Sequence, residues 1–561
     1  MKRFLALLTL MASAASVFAT ERISLAGEWR FALAAPEPTF PPAALPPLTF
    51  VDSITLPGTT ETRGKGPENP ARERGTLTRI HKFEGAAWYQ RDVDIPANWR
   101  GQRIDLQLER TKYTQVWFDD RPVGEMRLFT AAQDYDLTAF AQPGRHRLTV
   151  MVDNRVDRLP FAPNVHQFNS DNTQVNWNGL LGRLELIARP ALWLDDVRIF
   201  PDVAHRSFRV EITPGRLTGD GSKGMVTVLA TSFNHGGKPH RPPPVSAPVL
   251  AHDKSSVITL VLPLGDEAKL WDEFSPALYK IAVTLESPAG RDDREIEAGL
   301  REFKPHGTQF TINGRTTFLR GKHEAGVFPL TGHPPMDVNG WIAYFRICQE
   351  YGINHIRCHT WVPPEAAFVA ANRLGIYLQA ELPFWGTFDA GVRDFLMPEA
   401  KATLRAYGNN PSFVMLTLAN EAGGDRNIMN AMVTQLRGID PRHLYADGSN
   451  NVLWDPRPQP TNDFWVTAKT RTPTGGEHQW PARGSFYFGD GYDGVVQWGA
   501  AQTRNDLSAS VTGLSIPVIG HETGQYTVYP NFAEIAKYTG VTRARNLERF
   551  RDILARHGRI D

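Results

Sequence analysis

The hydrophobic period of this chain changes once, near residue 310, and that change restricts it to a multidomain fold with a β-only half followed by an α/β half. From about residue 28 to 302 the apolar residues alternate in short runs, as in Trp88-Tyr89-Gln90-Arg91-Asp92-Val93-Asp94-Ile95, separated by Gly, Pro, Asn and Asp. Two-residue alternation places every second side chain on one face of a strand, so this half predicts half-buried antiparallel sheets. A boundary is expected near Pro190, with a second β-sandwich over 191–302 and a hairpin at Leu217-Thr218-Gly219-Asp220-Gly221.

After Phe310 the pattern becomes strand, loop, helix, repeated. The expected strands are 318–320, 354–359, 377–382, 414–419, 444–447, 464–467 and 517–520, with helices over 338–351, 364–374, 398–408 and 543–557. Alternating units of this kind predict a parallel sheet, and this many predict a (β/α)8-type barrel over 303–561. The chain reaches Asp561 without an eighth strand, so the expected barrel is incomplete, with two strand edges left open.

Two of these strands end on an acid: Leu416-Thr417-Leu418-Ala419-Asn420-Glu421 and Pro517-Val518-Ile519-Gly520-His521-Glu522. Barrel active sites gather at the C-terminal strand ends, which would bring Glu324, Arg357, His359, Glu381, Asn420, Glu421 and Glu522 to one rim. A pair of carboxyls there suits glycoside hydrolysis, in which the leaving oxygen is protonated while charge builds at the anomeric carbon. One acid must stay protonated and the other ionised, and a separation of ~5–5.5 Å gives retention whereas ~6.5–9.5 Å gives inversion. Arg357 lies inside the apolar run Ile353-Asn354-His355-Ile356-Arg357-Cys358, which favours a buried guanidinium over a surface ion pair.

Charge and cysteine content exclude several alternatives. Lys and Arg total 61 against 60 Asp and Glu, a balance that gives no reason to expect nucleic acid or an anionic membrane as a partner. There is no Cys-x-x-Cys or His-Glu-x-x-His spacing, and no metal or other cofactor is expected. The two cysteines, Cys348 and Cys358, fit buried thiols better than a bridge, although an oxidising compartment would permit one. Met1-Lys2-Arg3 ahead of an apolar run to about Ala19 predicts a cleaved secretory signal over 1–19 and delivery to a periplasm or the exterior, without membrane insertion.

Five segments in order resemble glycoside hydrolase family 2. They are Leu25-Ala26-Gly27-Glu28-Trp29-Arg30-Phe31, Gly85-Ala86-Ala87-Trp88-Tyr89, Trp177-Asn178-Gly179-Leu180-Leu181-Gly182-Arg183, Ser275-Pro276-Ala277-Leu278-Tyr279, and Phe310-Thr311-Ile312-Asn313-Gly314 with Leu319-Arg320-Gly321. The resemblance implies a jelly-roll sugar-binding domain over 20–190, an immunoglobulin-like sandwich over 191–302 and a catalytic barrel. It further implies retaining, exo-acting hydrolysis of a β-linked sugar, with a glycan or glycoside as the partner.

On that likeness Glu421 is the general acid and base, Glu522 the nucleophile, and Asn420 the holder of the sugar 2-hydroxyl, against the alternative that Asn420 caps the following turn. Arg357 matches the family's second-strand arginine beside the nucleophile, where it would favour the ionised carboxylate. Glu381 matches the third-strand acid, which binds a sugar hydroxyl or pairs with an arginine. Trp385 is either a stacking platform or a plug of the barrel mouth, and His359 and Trp361 either line the pocket or pack.

The sequence departs from the family at Cys358-His359-Thr360-Trp361-Val362-Pro363, where Ser-His-Tyr-Pro is usual, and at Glu522-Thr523-Gly524, where an aromatic usually follows the acid. These departures leave the sugar unassigned. The other function class compatible with the sequence is a non-catalytic carbohydrate-binding protein with an inert, open barrel.

Overall fold

A computed structural model of the protein describes residues 19–33, 45–70, 77–158, 171, 174–217, 219, 221–250, 257–471, 479–482, 508–523 and 529–560. The proposed signal segment lies outside the described residues, apart from Ala19.

The β-only half forms two pairs of facing sheets. In the first pair, a sheet built on strands Arg103–Arg110 and Gly179–Arg189 faces one built on Ala86–Ile95 and Gly144–Asp153. The alternation read from sequence is what fills the space between them, with Trp29, Phe31, Tyr89, Leu106, Val150 and Leu186 all buried in one core. In the second pair, the three-stranded sheet containing Leu192–Asp202, Ser207–Arg216 and Ile258–Pro263 packs on the four-stranded sheet containing Gly224–Ser232 and Tyr279–Ser287.

Thr218 and Asp220 of the expected hairpin lie outside the described residues, but the strands on either side, Ser207–Arg216 and Gly224–Ser232, belong to different sheets and so are not the paired arms of a hairpin. Turn residues specify a reversal; the pairing partner is chosen by which face each strand buries.

In the second half, Gly321–Glu324, His355–Cys358, Tyr377–Glu381, Phe413–Thr417 and Leu444–Ala446 form a five-stranded parallel sheet. Trp465–Thr467 and Val518–Gly520 form a parallel pair, which Ser449 joins to the sheet through bridges to Asn420 and Val466. Seven parallel strands therefore follow one another in chain order. Among the described residues no ladder pairs Val518–Gly520 with Gly321–Glu324. The segment after the seventh strand returns instead to the first β-domain, where Thr542–Arg543 pairs with Thr78–Arg79.

Two element boundaries differ from the sequence reading. The first parallel strand is Gly321–Glu324 rather than 318–320, and Phe318 is exposed. The third helix spans Ala390–Tyr407 rather than beginning at Pro398: it starts where Asp389 accepts a bond from Val392 N, and Pro398 lies in its interior. Proline is favoured in a first helical turn, but the Asp389 cap and the buried stripe Val392, Leu396, Ala400, Leu404 outweigh that preference. Cys348 and Cys358 are both buried and unbridged, and burial raises the pKa of each thiol. Among the described residues no helix is long and apolar enough to cross a membrane.

Glu399, buried on that third helix, ties the two halves together. Its carboxylate oxygens accept bonds from Phe129 N (2.9 Å), Thr130 N (3.0 Å) and Thr130 Oγ1 (2.6 Å) of the first β-domain. Burial outweighs these bonds and pushes its pKa up to about 7. The folded state thus retains a proton that the unfolded state releases near the ordinary value of 4.5. This contribution to stability is complete below about pH 4.5 and is lost as pH rises to about 7, amounting to roughly 3 kcal/mol. The unfolding free energy from urea titration should fall for wild type relative to Glu399→Gln by most of that amount between pH 5 and 7.5, and parallel pH profiles would contradict it.

Candidate active site

The C-terminal ends of the parallel strands turn their side chains inward through an unusual backbone conformation. Thr360, Glu421, Asn450 and Glu522 have φ of 55°, 46°, 59° and 47°, and each stands a few residues past the end of a parallel strand. Non-glycine residues rarely adopt this region, and such strain gathers where side-chain placement matters. The strands reach this point because the ladder continues past their named ends: Glu421 N bonds Ser449 O (2.8 Å), Asn450 N bonds Val466 O (2.8 Å) and His521 N bonds Thr467 O (3.0 Å).

Arg357 occupies the centre of the group and is buried. Its Nη2 donates to Glu381 Oε1 (2.9 Å) and Asn420 Oδ1 (2.7 Å), while Nη1 lies 3.7 Å from Glu522 Oε1. Glu381 is fully buried and also accepts from Thr360 N (2.9 Å), Thr417 Oγ1 (2.9 Å) and Ser449 Oγ (2.6 Å). Burial alone would raise its pKa, but Arg357 and these donors outweigh burial and lower it. A buried guanidinium held by one carboxylate and shared with a second forms a rigid electrostatic base for the rim.

Glu421 and Glu522 meet at His521, which is buried. Nε2 of this imidazole lies 3.2 Å from Glu421 Oε1 and 3.3 Å from Glu522 Oε1, so the nearer oxygens of both acids stand within hydrogen-bond reach of one nitrogen. On the other side of the ring, Nδ1 lies 3.5 Å from Arg357 Nη1. A guanidinium only donates, so Nδ1 accepts and the ring hydrogen is assigned to Nε2, between the two carboxylates.

The two acids differ in their surroundings. Burial would raise the pKa of Glu522, but the hydrogen bond from His521 and the charge of Arg357 hold it far below the usual carboxylate range. Glu421 is reached by Asn450 Nδ2 (3.2 Å) in addition to His521. Glu522 is therefore ionised across the physiological range, as a carboxylate nucleophile must be.

His359 and His323 complete one wall. His359 Nε2 lies 3.6 Å from Glu522 Oε1, and the two imidazoles pack at 4.7 Å between centroids. Burial and then the charge of Arg357 lower His359 to about 3 and His323 to about 4, so both are neutral at pH 7. Trp385 is 36 % exposed and meets His359 edge-on at 6.1 Å, so it stands at the mouth of the site. Glu324 does not join the group: its carboxylate turns to Lys322 Nζ (2.8 Å), Gly326 N (2.9 Å) and Tyr344.

Among the described residues one set has the spacing for a metal ion: ligand atoms of His323, His359 and Glu522 lie within 4.8 Å of one another. The same Glu522 oxygen faces the Arg357 guanidinium, so a cation there would meet a fixed positive charge, and no step below uses one. Sequence reasoning quoted His521 only as part of a strand and passed over Ser449 and Asn450. A usable signal was His521 itself, a titratable residue directly before a strand-end acid.

The sequence of residues 23–190 matches the family description "Glycosyl hydrolases family 2, sugar binding domain". Over 371 residues the chain is 24% identical to a β-glucuronidase of Paenibacillus borealis, covering 60% of this chain and 59% of that protein. It is likewise 24% identical over 380 residues to a β-galactosidase of Arthrobacter sp. (strain B7), covering 64% and 34%. Among solved structures, a β-glucuronidase of Parabacteroides merdae superposes with a TM-score of 0.61 at 18% identity, over 76% of this chain and 55% of that one. The chain thus spans little more than half the length of the first of these relatives and of that structure. Residues 23–190 are thus similar to the sugar binding domain of glycosyl hydrolases family 2, and the chain shares the multidomain fold of the glycoside hydrolases it resembles.

Proposed function

We propose that this protein is an exported, exo-acting glycosidase that hydrolyses a terminal β-linked sugar with retention of configuration. The seven parallel strands are read as part of a (β/α) barrel, the middle sandwich as immunoglobulin-like, the first β-domain as a jelly roll, and residues 1–19 as the export signal. The observation that carries the reading is the convergence of Glu421 and Glu522 on His521 Nε2, with Glu522 held ionised.

In the first step a Glu522 oxygen attacks the anomeric carbon while Glu421, protonated, gives its proton to the departing glycosidic oxygen. This forms a glycosyl ester on Glu522 and releases the aglycone as an alcohol. In the second step Glu421, now a carboxylate, takes a proton from water as that water displaces Glu522 at the same carbon. His521 shares its Nε2 hydrogen between the acids and so eases their mutual repulsion, while Arg357 and Glu381 fix Asn420 for the sugar 2-hydroxyl. The short separation through a single nitrogen favours retention over a water-bridged inverting arrangement.

The relatives are named for glucuronides and galactosides, which sets the first substrates to try. Nuclear magnetic resonance of the sugar first released from an aryl β-glucuronide or aryl β-galactoside should show the β-anomer before mutarotation. An α-anomer first would overturn the double displacement, and turnover of neither class would leave a sugar-binding protein.

A further inference from the structure

The fifth parallel strand contributes a side chain to the catalytic pair. Asn450 stands where the ladder of that strand continues past Ala446, and it is buried with a left-handed backbone, φ 59°. Asparagine tolerates this conformation better than most residues. Its N–H bonds Val466 O (2.8 Å) on the sixth strand, and its Oδ1 accepts from Ala468 N (2.9 Å) just beyond that strand. The other end of the amide, Nδ2, donates to Glu421 Oε1 (3.2 Å).

The orientation of this amide is fixed by its neighbours. Turned over, its NH2 group would face the Ala468 N–H, donor against donor, in a buried place. Glu421 Oε1 therefore has two donors, Asn450 Nδ2 and His521 Nε2, each at 3.2 Å. Among the described residues no hydrogen bond or ion pair reaches the other oxygen, Oε2. A carboxyl oxygen offers two lone pairs, and at Oε1 both are taken, so a proton there would have to displace a donor. At Oε2 it displaces nothing, and the Glu421 side chain keeps 17 % of its surface open to the site.

We propose that Asn450 is a positioning residue for the proton donor: with His521 it fills Oε1 of Glu421 and so keeps the transferable proton on Oε2. In the first step the Oε2–H bond breaks toward the glycosidic oxygen, the electron pair of the anomeric C–O bond stays with that oxygen, and Glu421 is left as a carboxylate. In the second step the same Oε2 takes the proton of the attacking water. The inference deepens the glycosidase reading and rests on it for the reaction.

Asn450→Asp separates this role from a purely structural one. Aspartate keeps the shape, tolerates the left-handed backbone and still accepts from Ala468 N, but it sets an acceptor where Glu421 Oε1 needs a donor. Asn450→Gly suits the same backbone and removes the side chain altogether. The quantity to measure is the ratio of kcat/KM for dinitrophenyl over methyl β-galactosides or β-glucuronides, since only the methyl leaving group needs a proton. That ratio should rise about ten- to a hundredfold over wild type in both variants. A ratio unmoved in folded Asn450→Asp overturns the role, because a structural bond to Ala468 would then account for the residue. If thermal melting shows Asn450→Asp unfolded, Asn450→Gly decides: a raised ratio supports the role and an unmoved one overturns it. Glu421→Gln measured alongside separates the two readings. A ratio raised by Glu421→Gln but by neither Asn450 variant removes the inference alone, and a ratio unmoved by Glu421→Gln removes the acid role of Glu421 and the inference with it.

Discussion

Glu522→Gln is expected to lower kcat on aryl glycosides by roughly 10^4- to 10^6-fold, the scale seen when a covalent nucleophile is removed. The amide has the size of the carboxylate and its oxygen can still accept from His521, so melting behaviour should change little. What it loses is the anion that His521 and Arg357 keep ionised, and an amide cannot form the glycosyl ester. Steady-state rates on purified protein check this, and a variant within about tenfold of wild type would remove Glu522 from the chemistry.

The second large effect is expected at Glu421, and it should depend on the leaving group. Without a proton donor, departure of a poorly acidic alcohol slows by about 10^2- to 10^4-fold, whereas a strongly acidic phenol departs without help. Glu421→Gln should therefore spare the first step for dinitrophenyl glycosides and slow the second, which needs the carboxylate as base. A burst of phenol matching the enzyme concentration, followed by slow turnover, is the expected trace. An equal loss for good and poor leaving groups, with no burst, would contradict the role. Glu421 and Glu522 remain chemically distinct in these tests because only Glu522 is backed by Arg357, at 3.7 Å.

Much of the site was legible because its chemistry lies at the ends of strand-length apolar runs. The run ending at Asn420-Glu421 and the run ending at His521-Glu522 both form parallel strands, and both acids come to one rim although 100 residues separate His521 from Glu421. Arg357 reads as buried because it lies within the strand-length run Ile353-Asn354-His355-Ile356-Arg357-Cys358. The parts that were not legible depend on neighbours across strands. His521 lies between the acids only because the seventh strand pairs with the sixth, and the sixth meets the fifth through Ser449. The turn at 217–221 and the helix start at Ala390 failed for the opposite reason: local turn and proline signals are short-ranged, and the buried faces of whole elements overrule them.

By itself the sequence determined the change from β-only to alternating architecture, the strands that end on acids, and the family resemblance carried by its ordered motifs, since hydrophobic period and local motifs are written within a few residues. Only the tertiary structure decided that Arg357 divides itself among Glu381, Asn420 and Glu522, that one imidazole lies between the two acids, and that Glu324 turns away from them. Only it placed Asn450 at the same Glu421 oxygen as His521. Electrostatic partners are set by distances of a few ångströms between residues far apart in the chain, and no local pattern encodes those distances.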